Sequence, residues 1–517
     1  MDNSNKPDRA PCDEGAVVAT TRATEDLKGS EGEEKVLNDG SMGWPNLHEV
    51  GEELVSLGRL VWPIMITSFL LYSRSVVSML FLGRLGDAQL AGGSLAIAFA
   101  NITGYSVLKG LAMGMEPICG QAYGAKKWAV LGQAFQKTLL LLLLAAAPIS
   151  LLWLKMDSIL LYLGQDKEIT AQARDYLLFS LPDLLAQACL HPLRIFLRAQ
   201  SLTRPLTFCA TFAILLHAPI NCFLVSYMGL GVRGVALASA WNTININLGL
   251  MGFLLLFDDV LKPWAGWASF PGDLREWGHL ISLAVPSAVS VCLEWWWYEV
   301  MLILCGLLPD PQPNVAAMGV LIQTTGLVYV LPSSLSMGLS TRVGHELGAH
   351  RPARARLAAS VGLYASAACG LLAFLFTVAV RHAWGRMFTD EPKILALTAA
   401  ALPIVGFCEL GNCPQTAGCG VLRGSARPTV GANINFSSFY LVGLPVAVLA
   451  SLRLGLGFLG LWLGLVAAQA SCAGLMMYTV RNMDWEAQAE RAEKLTGVAG
   501  EEEKDDLEAS LLAKATE

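Results

Sequence analysis

The chain has 517 residues, 54% of them hydrophobic and only 15% charged, with a mean hydropathy of +0.49 and a formal net charge of −6. That balance excludes a soluble globular protein and a basic nucleic-acid binder, and it places the chain among polytopic helical membrane proteins. The twelve cysteines are scattered, with no CxxC pair and no Cys/His ligand spacing, so they read as small buried hydrophobes and no metal is expected.

Residues 1–53 are a hydrophilic acidic tail, too poor in apolar side chains to order itself, and are expected to be disordered. The first apolar run starts near residue 57, so the first span should act as its own insertion signal. A span needs about 20 apolar residues. Twelve segments qualify: 57–82, 92–113, 128–154, 173–193, 206–227, 234–257, 277–306, 315–337, 356–380, 395–421, 429–451 and 457–480. The expected fold is all-α, with an N-lobe over 54–257, a linker over 258–276, a C-lobe over 277–480 and a second acidic tail over 481–517. Assigning the loops alternately to two sides puts thirteen Lys and Arg on one side and nine on the other, which favours both tails in the cytoplasm. Arg198, Arg342 and Arg423 are among the thirteen.

In the N-terminal half, Arg74 lies ten residues before Arg84 in span 1, and Asp183 lies eight after Asp175 in span 4. Similar depth predicts a buried Arg74–Asp183 ion pair, structural in role. Glu116 reads as a motif residue at a span edge, and His191 and His217 as span-end residues without a role.

The two halves repeat each other. Gly114, Gly120, Gly124 and Ala125 fall on Gly338, Gly344, Gly348 and Ala349 at an offset of 224. Arg204-Pro205 falls on Arg427-Pro428 at 223, and Pro219, Gly229, Gly231 and Gly234 on Pro445, Gly455, Gly457 and Gly460 at 226. Six spans per half is an even number, so both halves enter the membrane in the same direction and are related by a pseudo-two-fold axis along the normal. Two such bundles can rock around a central cavity.

In the C-terminal half, Glu294 lies 18 residues after Glu276 and 16 before Asp310, while Glu409 lies 16 after Lys393 and 14 before Arg423. A charge at that depth costs about 2.5 kcal/mol or more and normally faces a cavity. Both are candidate proton-coupling residues. Glu299, about 140° around the helix from Glu294, is either a further proton site or a polar anchor. Trp295, Trp296, Trp297 and Tyr298 encircle one helix, so only some can line a path; Trp295, Trp296 and Tyr298 are the candidates, where a cationic substrate could sit over a ring. Gln323, Thr324, Tyr329, Asn412 and Gln415 could complete a polar cavity, in structural or substrate-orienting roles. His345 reads as a solvated loop histidine.

Four motifs now stand together: CGQAYGA at 119–125, CLEWWWYE at 292–299 with GLLPDP after it, STRVGHELGA at 340–349 and GVLRGSARP at 420–428. Over residues 50–480 the chain resembles the multidrug and toxic compound extrusion family, in particular its plant DETOXIFICATION branch. The resemblance implies twelve helices in two lobes, export of organic molecules, protons as the coupling ion with no other cofactor, and Glu294 as the helix-7 proton site. It also implies a helix-10 acid eleven residues before the LRG arginine, a position held here by Asn412. Glu409 lies three residues earlier, one helical turn away and on nearly the same face, so the acid is read as displaced, with its role left open.

No Walker A motif and no Gly-Lys dipeptide is present, which excludes an ATP-driven pump, and no constellation of nucleophile or metal ligands suggests an enzyme. The expected partners are a small organic substrate and the lipid bilayer, with no nucleic acid, and the protein is expected to be a monomer. Hormones, phenolics, alkaloids, organic acids and xenobiotics all satisfy the architecture, as do the plasma membrane and an endomembrane. The rival reading is a flippase for lipids or lipid-linked sugars, which would require a strongly cationic cavity.

Overall fold

The computed structural model describes residues 46–162, 164–256 and 274–497, and every regular element among them is helical. In chain order the long helices are α1 (Leu47–Leu85), α2 (Ala88–Gly124), α3 (Trp128–Leu154), α4 (Leu181–Ala199), α5 (Arg204–Tyr227) and α6 (Val232–Leu256). The second set is α7 (Trp277–Gly306), α8 (Pro311–Gly348), α9 (Pro352–Val380), α10 (Pro392–Gly424), α11 (Pro428–Arg453) and α12 (Gly457–Arg481). Among the described residues ten of these are long and apolar enough to cross a bilayer; α4 and α6 are the exceptions. The reason lies in what they carry inward: α4 holds Asp183, His191, Arg194 and Arg198, and α6 holds Asn242, Asn245 and Asn247.

Two hydrophobic cores organise the helices. One runs from Phe81 to Leu254, and the other from Trp297 to Ala492. The first helix of each half crosses over. Leu57 at the start of α1 belongs to the second core, whereas Leu280 and Leu283 at the start of α7 belong to the first. Small residues permit the crossings, as is usual where lipid removes the hydrophobic drive between helices. A Cβ at Gly120 would lie 3.4 Å from the Cα of Gly344, its own repeat mate, so the two copies of the glycine motif pack on each other at the pseudo-two-fold axis.

The repeat is equally visible in the backbone. Lys126 and His350, 224 residues apart, both turn through the left-handed region, with φ of 59° and 57°. Ser201 and Ala426 do the same at 59° and 56°, and Gly229 and Gly231 are matched by Gly455 and Gly457. A π-helical segment at Cys222–Tyr227 is matched by one at Leu449–Arg453.

Three expectations about the chain's edges need correction. Leu47–Glu53 is not disordered but the start of α1, and Glu53 is buried because its carboxylate receives Arg342 Nε and Nη2 at 2.8 Å each. The tail expected from 481 onward contains a further helix, α13 (Trp485–Thr496), capped by Asp484, whose side chain accepts from the Ala487 N–H at 3.1 Å. Trp485, Ala489, Ala492 and Thr496 make its buried face, which packs on α2, α8 and α9 and so braces both halves. Of the expected linker, residues 258–273 lie outside the described residues and Leu274 is already helical. Residues 1–45 and the acidic run from Glu501 to Asp506 also lie outside them.

Candidate functional site

α7 contributes to both cores, and its middle turn carries Glu294 and Tyr298 one helical turn apart on one face. α10 presents Glu409, Asn412, Cys413 and Thr416 at the same spacing. Glu409 is 1% exposed; its Oε2 accepts from Asn412 Nδ2 at 2.8 Å and from Cys413 Sγ at 3.8 Å. Tyr298 lies close enough to both carboxyls to interact with Glu409 and with Glu294. Tyr329 stands beside Glu294 and meets the Trp295 ring edge-on at 6.3 Å. Glu294, Tyr298, Tyr329, Glu409 and Asn412 are therefore brought together.

Other candidates go elsewhere. Among the described residues Glu299 has no hydrogen-bond or ion-pair partner, and it is not part of the Glu294–Glu409 group. Thr324 is buried and accepts from Trp384 Nε1 at 2.7 Å, so it anchors a loop rather than lining a cavity. Gln415 is fully buried and donates to Asn435 Oδ1 at 3.3 Å. Gln323 is exposed and accepts from the Tyr72 hydroxyl across the halves, at 3.1 Å on its carbonyl and 3.3 Å on its amide oxygen. Trp296 donates from Nε1 to the Ile102 carbonyl at 3.3 Å, and Trp297 is fully buried against Phe439 and Tyr440.

On the N-terminal side, Arg74 Nη1 lies 3.7 Å from Asp183 Oδ2, and Asp183 also accepts from the Tyr105 hydroxyl at 2.7 Å and Thr243 Oγ1 at 2.5 Å. At one end of the helices the halves are clasped through Glu116. This buried carboxylate takes Arg198 of α4 and, at 3.2 Å, Nε of Arg423 of α10. Those two arginines are repeat mates, 225 residues apart. Arg342 pairs with Glu53 and, at 2.5 Å, with Glu346. Three cations assigned to loops on one side are thus tied into ion pairs. His345 is likewise not a loop residue: it ends α8, stacks on Tyr123 at 4.7 Å and contacts the Ala199 carbonyl through Nε2 at 2.7 Å.

Sequence reasoning missed two sets of residues. Asn435 and Gln469 join the buried network, Asn435 through Ser290 Oγ at 3.0 Å and Gln469 through Asn412 Oδ1 at 3.3 Å. A polar residue in an apolar span gives no hint of its partner. Lys109 was legible, because it is the one charged side chain between Asp87 and Glu116, the criterion that singled out Glu294. Its ammonium lies 5.7 Å from the centre of the Trp295 ring.

The MatE family profile matches residues 63–223 and 286–449, one match per half. The chain is 55% identical to Protein DETOXIFICATION 48 of Arabidopsis thaliana over 453 residues, covering 88% of this chain and 85% of that one. It is 56% identical to Protein DETOXIFICATION 49 of the same plant over 457 residues, covering 88% and 90%. The crystal structure of the eukaryotic MATE transporter AtDTX14 superposes with a TM-score of 0.82 at 29% identity, covering 87% of this chain and all of that one. Both the two-lobe fold and the sequence lead to one conclusion: the chain belongs to the MatE family of secondary active efflux transporters, in its plant DETOXIFICATION branch.

Proposed function

We propose that the protein exports small organic molecules by antiport against protons, with Glu294 and Glu409 as the proton-carrying pair. The observation that carries this reading is the Glu294–Tyr298–Glu409 group, formed between α10 and the helix that contributes to both cores. Glu409 has neutral hydrogen-bond partners, Asn412 and Cys413, so a proton or an arriving cation is what can cancel its charge. The glycine crossing at the repeat axis gives a pivot about which the lobes can rock. The Glu116 clasp at one end closes that end while it holds, and releasing it would open the alternate face. Both tails are assigned to the cytoplasm, the protein acts as a monomer, and protons are its coupling ion.

The test is substrate-induced proton flux in proteoliposomes, with a panel of fluorescent organic cations and plant metabolites, for wild type, Glu294→Gln and Glu409→Gln. Loss of coupled flux in both folded variants is the expected result. Normal flux from Glu409→Gln alone would leave coupling to Glu294, and normal flux from both would overturn the mechanism. The flippase reading gains weight from Lys109 over Trp295, a cation of the kind that phosphate head groups require.

A further inference from the structure

At the end of the molecule where Glu116 binds Arg198 and Arg423, the lobes meet backbone to backbone. A Cβ added at Gly124 would strike the His345 carbonyl, and one added at Gly348 would strike the Gln121 carbonyl. Gln121 also donates through Nε2 to the Gly424 carbonyl at 2.9 Å. These contacts join α2 of the N-lobe to α8 and α10 of the C-lobe, and they leave no gap between them. α13 straddles this seam. Trp485, Ala489 and Ala492 belong to the second core, whereas Leu495 packs against the first. Its contacts on α2 fall on Met115–Gly124, the stretch that holds Glu116 and the touching glycines, and its others fall on Val330–Gly348 and α9.

α13 is a discrete element rather than the frayed end of α12. Asn482 and Met483 separate the two helices, Asp484 caps the first turn of α13, and Gly497 ends its last turn at a φ of 74°. Glu486, Glu490, Arg491 and Lys494 form its exposed face. The chain link to α12 and the three residues in the second core fasten α13 to the C-lobe, and Leu495 in its last turn carries it onto the N-lobe. When the lobes part at this end, α13 must therefore travel with the C-lobe and give up its hold on the other. We propose that α13 is a latch: it keeps the Glu116 end shut, and that end opens only when the last turn of α13 lets go of the N-lobe. The proposal rests on the reading that the lobes rock about the glycine crossing. It adds to the ionic clasp an apolar one, built from a segment outside the twelve spans.

The experiment is double electron–electron resonance on full-length protein in lipid nanodiscs. Ala129 and Ala353, exposed repeat mates in the first turns of α3 and α9, carry ketone-directed nitroxide labels, a chemistry that spares the native cysteines. The separation of the labels reports opening at the Glu116 end. Ala492→Glu drives a carboxylate into the buried face of α13, Leu495→Ser removes its hold on the N-lobe, and Ala487→Glu sets the same charge on its exposed face. The population at longer distance should grow about tenfold in Ala492→Glu and about threefold in Leu495→Ser, and Ala487→Glu should match wild type. Leu495→Ser keeps the test decisive should Ala492→Glu fail to fold. A wild-type distribution from folded Leu495→Ser and Ala492→Glu overturns the latch, and so does an equal shift from Ala487→Glu. Glu116→Gln separates the latch from the reading beneath it. Longer distances in that variant alone would leave rocking lobes with a passive α13, and no change in any variant would sink the rocking reading as well.

Discussion

The two lobes share a backbone and differ in how each treats a buried acid. Lys167–Ala199 falls on Pro392–Gly424 at an offset of 225, so Asp183 lies within one residue of the position of Glu409. At 224, Arg74 lies at the level of Tyr298. Each lobe therefore places a side chain of its first helix near an acid of its fourth at the same level. In the N-lobe the acid meets a permanent cation at 3.7 Å, with Tyr105 and Thr243 filling its remaining acceptor sites. In the C-lobe the acid meets a phenol, an amide and a thiol. A fixed guanidinium makes a strut; neutral partners leave the charge to be cancelled by something mobile. On the antiport mechanism proposed above, one scaffold position supplies structure in one lobe and coupling in the other.

The comparison can be broken most severely at Glu294 and Glu409, where the glutamine changes should remove proton-coupled flux altogether while the protein still elutes as a folded species. Asp183→Asn should instead act on folding, with residual flux per folded molecule close to wild type; parity of all three variants in flux would erase the distinction between the lobes. Removing the shared clasp comes next. Glu116→Gln strands two arginines and should cost about 3–5 kcal/mol, read as a lowered thermal midpoint in detergent. Arg74→Met strands Asp183 and should cost a similar amount, but adding Asp183→Leu should recover much of the loss, since a packed apolar pair replaces the ions. A double variant no more stable than the single would show that the pair does not act as a unit. Smallest is Tyr105→Phe, which removes one of the hydrogen bonds to Asp183 and should cost about 1–3 kcal/mol without altering flux.

Much of this was legible along the chain. Glycines and prolines repeated at offsets of 223 to 226 because each span must stop, turn and pass its neighbour in the same way in both lobes. Glu294, Glu409, Arg74 and Asp183 stood out because charge in an apolar run is expensive and therefore rare. Lys109 obeyed the same rule and was passed over, and α13 was hidden by its charged outer face, although Asp484 before Trp485 and the spacing of Ala489, Ala492 and Thr496 mark an amphipathic helix.

By itself, then, the sequence determined a helical membrane protein of two parallel repeats with acids at mid-depth, since these follow from hydropathy, spacing and the cost of burying charge. Only the tertiary structure decided which groups face one another. That Glu116 binds Arg198 and Arg423 together, that Tyr298 comes near Glu409, and that Lys109 lies over Trp295 are contacts between segments tens to hundreds of residues apart. Partner choice of that kind is set by helix crossing and rotation, and those depend on packing at places such as Gly120 and Gly344, where two backbones come close enough to touch.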